Sequence, residues 1–318
     1  MNKNKVVIGF ITYGQSTFKY LPDFLLSLKE QTFSDFRLIA LDNSEIDDNK
    51  NFQYLSNYDS SLKIIRPGRN LGFGGGFNLL IKEAVRLEAK YFLALNVDVV
   101  LDSRALALLV ERLDKSASLG SVSPKILKWD FVNNEFTKII DTCGLKLLSG
   151  LKFVDLGQTE VDQRQYDDAE ILGPSGCAGL YRLSALEQIK YDQQEYFDEN
   201  FFMYKEDCDL AYRLALANWP SALVSSAVIY HDRTATSTGR LIKNLFVGRR
   251  RKNNQIKAWS FLNQHLLIFK YWSKQSFFNK ILIIGREILM LGYITFFEAY
   301  LWRQLKVFLR LRNKLKTS

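Results

Sequence analysis

The 318-residue sequence predicts an α/β fold of nucleotide-binding layout, followed by a basic helical extension. Three observations lead there. Apolar runs of strand length end in polar groups, as 36–41 does before Asp42 and 91–95 before Asn96-Val97-Asp98. Stretches with apolar residues at spacings of three and four separate those runs, which is helical periodicity. Charge is also divided along the chain. Residues 240–318 carry 17 Lys and Arg against 2 Asp and Glu, so the net charge of +9 conceals an acidic part before residue 240.

Taken in order, 6–12 reads as a first strand, with Thr12-Tyr13-Gly14 opening a loop at its carboxyl end. In 20–31, Leu21, Phe24, Leu25 and Leu28 share a helical face, and Pro22 suits the first turn. A second strand at 36–41 ends in Asp42-Asn43-Ser44, and 62–66 is a short third strand. The run Asn70-Leu-Gly-Phe-Gly-Gly-Gly-Phe-Asn78 clusters glycines ahead of a helix expected over roughly 77–87. Clustered glycines let a backbone approach a phosphate at a helix start. The run fits neither common phosphate-binding motif: Phe77 stands where a dinucleotide fingerprint has its third glycine, and no Gly-Lys-Ser/Thr follows. A tight turn closing helix against sheet is the competing reading.

The strand 91–95 is the centre of the layout. A carboxylate at the end of a buried parallel strand faces the ligand crevice, and Asp98 offers a hard oxygen suited to Mg2+ or Mn2+. Asn96, two residues away, shares its face on an extended chain. The alternative is a plain strand end capping the next helix. That helix is expected near 103–115, and a further strand is expected to end at Pro124. Between 126 and 170 the pattern is weak, with Gly144 and Gly150 flanking a hairpin and 162–170 an exposed loop. Small residues in 171–182 beside a strand suit close approach of a substrate. An aromatic stretch, 197–205, delivers Glu206 and Asp207 to a helix start, with Leu210, Leu214 and Leu216 on its buried side. Alone, these carboxylates read equally as compensation of the helix dipole, and Asp209 and Arg213 as an i,i+4 ion pair. A last strand, 228–231, ends in His231, a candidate metal ligand or an ordinary surface histidine.

Composition narrows the class. A hydrophobic fraction of 47% builds a large core and excludes a disordered chain. Three cysteines without a CxxC pair argue for a reducing compartment and against a thiolate zinc site. The apolar run after the basic N-terminus is broken by Gly9 and Thr12, so it reads as a strand and not as a signal peptide.

Six segments, in one order, resemble family 2 glycosyltransferases: strand one with Thr12-Tyr13, Leu41-Asp-Asn-Ser44, the 70–78 glycine run, Leu95-Asn-Val-Asp98, Phe201-Phe-Met-Tyr-Lys-Glu-Asp-Cys-Asp-Leu210, and Tyr230-His231. The resemblance spans about 5–235 and is to the rhamnosyltransferase type. It implies a GT-A fold, a Rossmann-like mixed sheet that takes nucleotide-diphosphate sugars, and an inverting, metal-dependent transfer. By the same resemblance Asp207 is the general base and Glu206 helps position the acceptor. Asp98 and His231 hold Mg2+ or Mn2+. Thr12, Tyr13, Asp42, Asn43, Asn70, Gly72, Gly74 and Asn96 line the nucleotide-sugar site, with Asp42 accepting from the pyrimidine. Asn96 replaces the first carboxylate of the usual DxD, which leaves its own role open. The implied donor is dTDP-L-rhamnose, with a UDP-sugar-dependent hexosyl or galactofuranosyl transferase as the alternative. The implied acceptor is a polyprenyl-linked glycan of cell-surface polysaccharide assembly.

The division expected is a catalytic domain over 1–239 and a basic amphipathic region over 240–318. In 301–315, Arg303, Lys306, Arg310 and Lys314 fall on one helical face and Leu301, Leu305, Phe308 and Leu309 on another. That interleaving favours an anionic membrane surface over nucleic acid, with the enzyme peripheral on the cytoplasmic face of the membrane. Non-catalytic nucleotide or nucleic-acid binding is the other class weighed. The competing use of the tail is a helical cap packed on the catalytic part or on a second copy as a homodimer. The longest uncharged apolar stretch there, 288–297, falls short of the ~20 residues a membrane span needs.

Overall fold

The computed structural model describes residues 4–191, 195–233 and 253–315. Strands β1 (Val6–Thr12), β2 (Phe36–Asp42), β3 (Lys63–Ile65) and β4 (Tyr91–Leu95) lie parallel in the order 4-1-2-3. On the other side of β4, β11 (Ala178–Arg182) runs antiparallel to it and to β6 (Ser121–Asp130). β12 (Ser221–His231) runs parallel to β6, so the sheet is mixed. The short β5 (Val99–Leu101) and β10 (Glu170–Ile171) pair with β12, and β7 (Glu135–Thr142) pairs with β6. β8 (Leu145–Leu148) and β9 (Lys152–Asp155) form a separate hairpin.

The two-residue period of the strands sorts their side chains onto two cores. Val6, Ile8 and Phe10 of β1 join the face covered by α1 (Leu21–Lys29), α2 (Lys50–Tyr58) and α4 (Ala105–Asp114). Val7 joins the face covered by α3 (Gly72–Arg86), α5 (Leu183–Ile189) and α6 (Glu206–Leu216). With helices on both faces, the central strands are apolar on both sides, which is why 91–95 reads as a continuous hydrophobic run.

The structure departs from the sequence reading at four places. α3 begins at Gly72, so the glycines form its first turn and not a loop ahead of it. A Cβ at Gly76 would lie 2.6 Å from Ile11 Cδ1, and one at Gly72, whose φ is +72°, would lie 2.3 Å from the Phe202 carbonyl. The glycines therefore seat the helix against β1 and the 197–202 segment. β6 does not stop at Pro124 but runs on to Asp130. The proline lacks a ladder donor, and the partner strand β12 shifts register between Val224 and Val228 opposite it, a bulge that absorbs the missing bond. Leu216, expected on the buried side of α6, is exposed at the end of that helix.

The fourth departure concerns the tail. The expected boundary at 239/240 lies outside the described residues, but the helix that follows it is not a separate layer. α7 (Asn254–Tyr271) buries Leu262, Leu266, Leu267 and Tyr271 against Phe201, Cys208 and Ala211 and against Leu145 and Leu151 of the hairpin region. α8 (Phe277–Phe297) and α9 (Trp302–Leu311) pack on α7 through Ile294, Leu301 and Phe308. No described helix is long and apolar enough to cross a membrane.

Candidate active site

β4 ends in a turn that the Asn96 N–H fixes by donating to the Cys177 carbonyl at 2.9 Å. The chain then enters β5, whose pairing sets Val99 opposite His231, and the Asp232 N–H donates to the Asp98 carbonyl at 2.9 Å. Sheet register thereby brings His231 Nε2 to 3.3 Å from Asp98 Oδ1. The ring is buried, not at the surface. Its Nδ1 lies 2.8 Å from Asp141 Oδ2, which fixes Nδ1 as the donor and turns Nε2 toward Asp98. Asp141 is fully buried and also meets Arg233 Nη1 at 3.3 Å, while Arg233 reaches Asp155 Oδ2 at 3.0 Å. Burial pushes the Asp141 carboxyl up, but His231 and Arg233 outweigh it and hold the group below the usual range. For His231 burial disfavours the cation, yet Cys177, Asp98 and Asp141 raise its pKa well above the ordinary value.

The donor set fits a divalent ion. Asp98 keeps 27% of its side chain exposed, and one carboxylate oxygen and one imidazole nitrogen sit side by side there. That leaves coordination positions for water and phosphate oxygens, as Mg2+ and Mn2+ require, and the nitrogen suits Mn2+ better. Behind it, ligand atoms of Asp141, Cys177 and His231 lie within 4.8 Å of one another, all buried. Asp141 is already engaged with Nδ1, so we read that trio as the backing of the imidazole.

The second pair of carboxylates opens α6. The loop before it holds Phe202, Tyr204 and Lys205 at φ of 55°, 72° and 68°, a left-handed path that bulky residues avoid. Asp207 Oδ2 accepts from the Gly176 N–H at 2.9 Å and Oδ1 from the Cys208 N–H at 2.8 Å, so the carboxylate is held by both oxygens. Burial and the charge of Asp155 raise its pKa against the pull of those two N–H groups. Glu206 is buried beside it, and its Oε2 finds no hydrogen-bond partner among the described residues. Burial first, then Asp207, lifts the Glu206 carboxyl well above the ordinary value. Asp209 and Arg213 form the expected ion pair, at 2.9 Å and fully buried.

The predicted nucleotide-side residues gather at the ends of β1 and β2. Asn43 Nδ2 donates to Asn70 Oδ1 and to the Gly72 carbonyl, both at 3.1 Å, while Asn43 Oδ1 accepts from the Leu71 N–H at 2.9 Å. Asn70 Oδ1 takes the Gly72 N–H at 2.8 Å, and the Phe202 carbonyl takes that of Phe73 at 2.8 Å. The amides expected to face a phosphate at Gly72 are thus engaged inside the protein, and Gly74 is buried against Phe197. Asp42 is fully buried and accepts from Ser44 Oγ at 2.7 Å, Asn49 Nδ2 at 2.9 Å and Arg66 Nε at 3.2 Å. Thr12 Oγ1 stands 3.4 Å from the same carboxylate. As built, Asp42 organises the rim and positions Arg66, whose guanidinium lies 4.2 Å from the Phe52 ring centroid. A direct bond from Asp42 to a nucleobase requires one of these donors to leave. Tyr13 is half-exposed at the mouth.

Asp141, Asp155 and Arg233 do not stand out in the sequence, while Gly176 and Cys177 belong to the small-residue stretch 171–182 expected to admit a substrate. Asp141 and Asp155 sit at or next to strand ends behind only two apolar residues each, a weaker form of the signal that marks Asp42, and they fall in the weakly patterned 126–170 region.

The sequence profile described as Glycosyl transferase family 2 matches residues 8–190. Among curated proteins, the N-acetylglucosaminyl-diphospho-decaprenol L-rhamnosyltransferase of Mycobacterium tuberculosis is 27% identical over 252 residues, covering 74% of this chain and 78% of that protein. Among solved structures, TarS of S. aureus superposes with a TM-score of 0.50 at 18% identity, over 81% of this chain and 40% of TarS. GalNAc-T7, solved with UDP, GalNAc and Mn2+, gives a TM-score of 0.58 at 11% identity, over 85% of this chain and 48% of its own. The chain thus spans less than half the length of either solved protein, and at such identities the likeness speaks for the fold alone, which is GT-A-like. The family profile covers more than half of the sequence, and the chain belongs to glycosyl transferase family 2.

Proposed function

We propose that the protein is an inverting, metal-dependent L-rhamnosyltransferase, taking dTDP-L-rhamnose as donor and a polyprenyl-diphosphate-linked glycan as acceptor. The observation that carries the reaction class is the pairing of two unlike carboxylate settings on adjoining segments: Gly176 holds Asp207, and its neighbour Cys177 accepts from Asn96 at the end of β4. Asp98 stands beside an oriented imidazole, suited to a cation, and Asp207 is held by two N–H groups with a raised pKa, suited to a proton. The sugar and the lipid carrier rest on the M. tuberculosis relative, whose name specifies rhamnose transfer to a diphospho-decaprenol-linked N-acetylglucosamine.

In this reading Asp207 takes the proton of the acceptor hydroxyl as its oxygen attacks the anomeric carbon and the bond to the diphosphate breaks on the opposite face. Gly176 and Cys208 hold the accepting carboxylate in place. Glu206, neutral beside it, adds a donor or acceptor for the incoming sugar without a second negative charge. Asp98 and His231 hold the divalent ion, and Asp141 keeps the imidazole in the tautomer that leaves Nε2 a ligand. When bound, that ion offsets the charge gathering on the leaving nucleoside diphosphate as a Lewis acid. Catalysis is placed at the cytoplasmic face of a membrane, where the apolar face of α8 would seat the enzyme.

The test is release of dTDP from dTDP-L-rhamnose in the presence of a polyprenyl-diphospho-N-acetylglucosamine acceptor. Turnover should require Mn2+ or Mg2+, cease in excess EDTA and return on adding metal. Transfer from a UDP-hexose with none from dTDP-L-rhamnose would refute the donor, and full activity in EDTA would remove Asp98 and His231 from the ligand role.

A further inference from the structure

The strained loop ahead of Glu206 and Asp207 is held in large part by α7, from some 60 residues further along the chain. Asn263, in the third turn of α7, is fully buried, and its Nδ2 lies 2.7 Å from the Phe201 carbonyl, 2.8 Å from that of Met203 and 2.7 Å from that of Tyr204. The remaining carbonyl of the stretch, that of Phe202, accepts from the Phe73 N–H at 2.8 Å. Four consecutive carbonyls between the 197–201 segment and α6 are therefore fixed by two donors from distant parts of the chain. The amide has one workable orientation: flipped, it would aim its oxygen at three carbonyl oxygens. As oriented, Oδ1 is buried with no hydrogen-bond partner among the described residues. A side chain kept for packing alone would not carry a buried polar atom in that state.

We propose that Asn263 is a positioning residue for the transfer reaction, holding residues 201–205 in the left-handed path that presents Asp207 to the acceptor. Left-handed conformations at Phe202, Tyr204 and Lys205 persist only where the surroundings fix them, and Nδ2 donates to the Phe201, Met203 and Tyr204 carbonyls that flank those residues. Without it the loop relaxes toward ordinary backbone, and the first turn of α6 moves with it. Displacement of a reacting group by about 1 Å lowers turnover on the order of 10²-fold. The loop meets the donor side through the Phe202 carbonyl, which the Phe73 N–H holds and Asn263 does not. The inference rests on the reading of Asp207 as base.

The test compares Asn263→Asp and Asn263→Ala in the full chain. Asn263→Asp keeps the shape and removes the donors; Asn263→Ala removes both. Two readouts are taken: amide hydrogen exchange of residues 202–207, and turnover per folded molecule as dTDP released from dTDP-L-rhamnose. Both variants should exchange faster at 202–207 with β1 unchanged, and lose turnover on the order of 10²-fold while the donor KM stays within about twofold. Unchanged exchange at 202–207, unchanged turnover, or a donor KM that rises with kcat intact would each overturn the proposal, as would failure of both variants to fold, which would assign Asn263 to stability alone. Asp207→Asn serves as the separate control. If it keeps normal turnover, the base assignment fails, whereas the exchange and turnover of the Asn263 variants still decide whether this residue positions the loop.

Discussion

At the scale of single residues, Glu206 and Asp207 carry opposite consequences for pH. Burial and then the Asp207 charge keep the Glu206 carboxyl protonated above the usual Glu value, which is about 4.3. In the unfolded chain it loses its proton at that ordinary value. Between the two values the folded state binds more protons, so this group's contribution to stability is present at low pH and is lost as pH rises from about 4.3 toward the folded pKa. Glu206→Gln, neutral throughout, should escape that loss. Its melting temperature should fall less than that of the unaltered protein as pH is raised through this window, and parallel pH profiles of the two would contradict the assignment. As the proposed base, Asp207 must be ionised to act. Its pKa is raised by burial and Asp155, so activity should disappear as pH falls through a value above the ordinary ~3.9 of an aspartate. Asp207→Asn should lower kcat by roughly 10²–10⁴-fold with donor KM near normal.

At the scale of elements, α7 is tied to α6 by charges sealed from water. Lys270 Nζ lies 2.8 Å from Asp198 Oδ2 and 2.6 Å from Asp209 Oδ1, and Asp209 also binds Arg213 Nε and the Tyr271 hydroxyl. Two acids balance two bases. Burial alone would raise the Asp209 pKa, but Lys270 and Arg213 hold it below the usual range. Lys270→Met removes one base and leaves two buried carboxylates facing Arg213. Loss of one partner from such a network typically costs ~3–5 kcal/mol, visible as a lower urea midpoint at an unchanged slope. A change below about 1 kcal/mol, the range of an exposed pair, would mean the network is open to water. This tie also marks where the sequence was legible and where it was not. β1, β2, β4, the start of α6 and the partners Asp98 and His231 follow from local pattern: period, strand-end carboxylates and i,i+4 spacing. Asp141 and Asp155 do not, because their strands are short or half-exposed and their partners lie 90 and 78 residues away. The glycine run misleads for a related reason. The same lack of a Cβ serves a phosphate or a close-packed helix, and only the position of Ile11 and Phe202 shows which. Lys270 and Asn263 look like ordinary polar residues of a basic helix until α7 is docked.

At the scale of the whole molecule, the described part of the tail has two behaviours, α7 buried against the core and α8 turned outward. Removing everything after 239 would expose Leu266, Leu267 and Tyr271's partners in the core and strand Asp198 and Asp209 without Lys270, so that truncation should yield an unstable protein. α8 behaves differently. Of its three charged residues, Lys280 lies over the Trp272 ring, while Arg286 and Glu287 pair with each other at 3.1 Å and turn inward, Arg286 to the Gly150 carbonyl at 2.9 Å and Glu287 to His265 at 3.2 Å. That leaves an outer surface of large apolar side chains, among them Phe277 at 81% exposure, Leu289 at 76% and Phe296 at 83%. Phe277, Ile281, Ile284 and Ile288 recur at spacings of four, three and four, one continuous stripe. An apolar stripe of this size on water is the kind of surface a contact covers, and the exposed Arg303, Lys306 and Arg310 beside it suit the proposed anionic one. Each basic residue near such a surface adds about 1 kcal/mol of attraction. The triple variant Phe277→Asp, Ile288→Asp, Phe296→Asp changes only exposed positions, so it should fold and melt nearly as the unaltered protein does. It should lose co-sedimentation with phosphatidylserine-containing liposomes at low salt while still releasing dTDP with a short-chain, water-soluble acceptor. Unaltered protein that ignores those vesicles, or a triple variant that binds them as well, would rule out the membrane seat. A concentration-dependent dimer in the unaltered protein, lost in the triple variant, would instead identify a second copy as what covers α8.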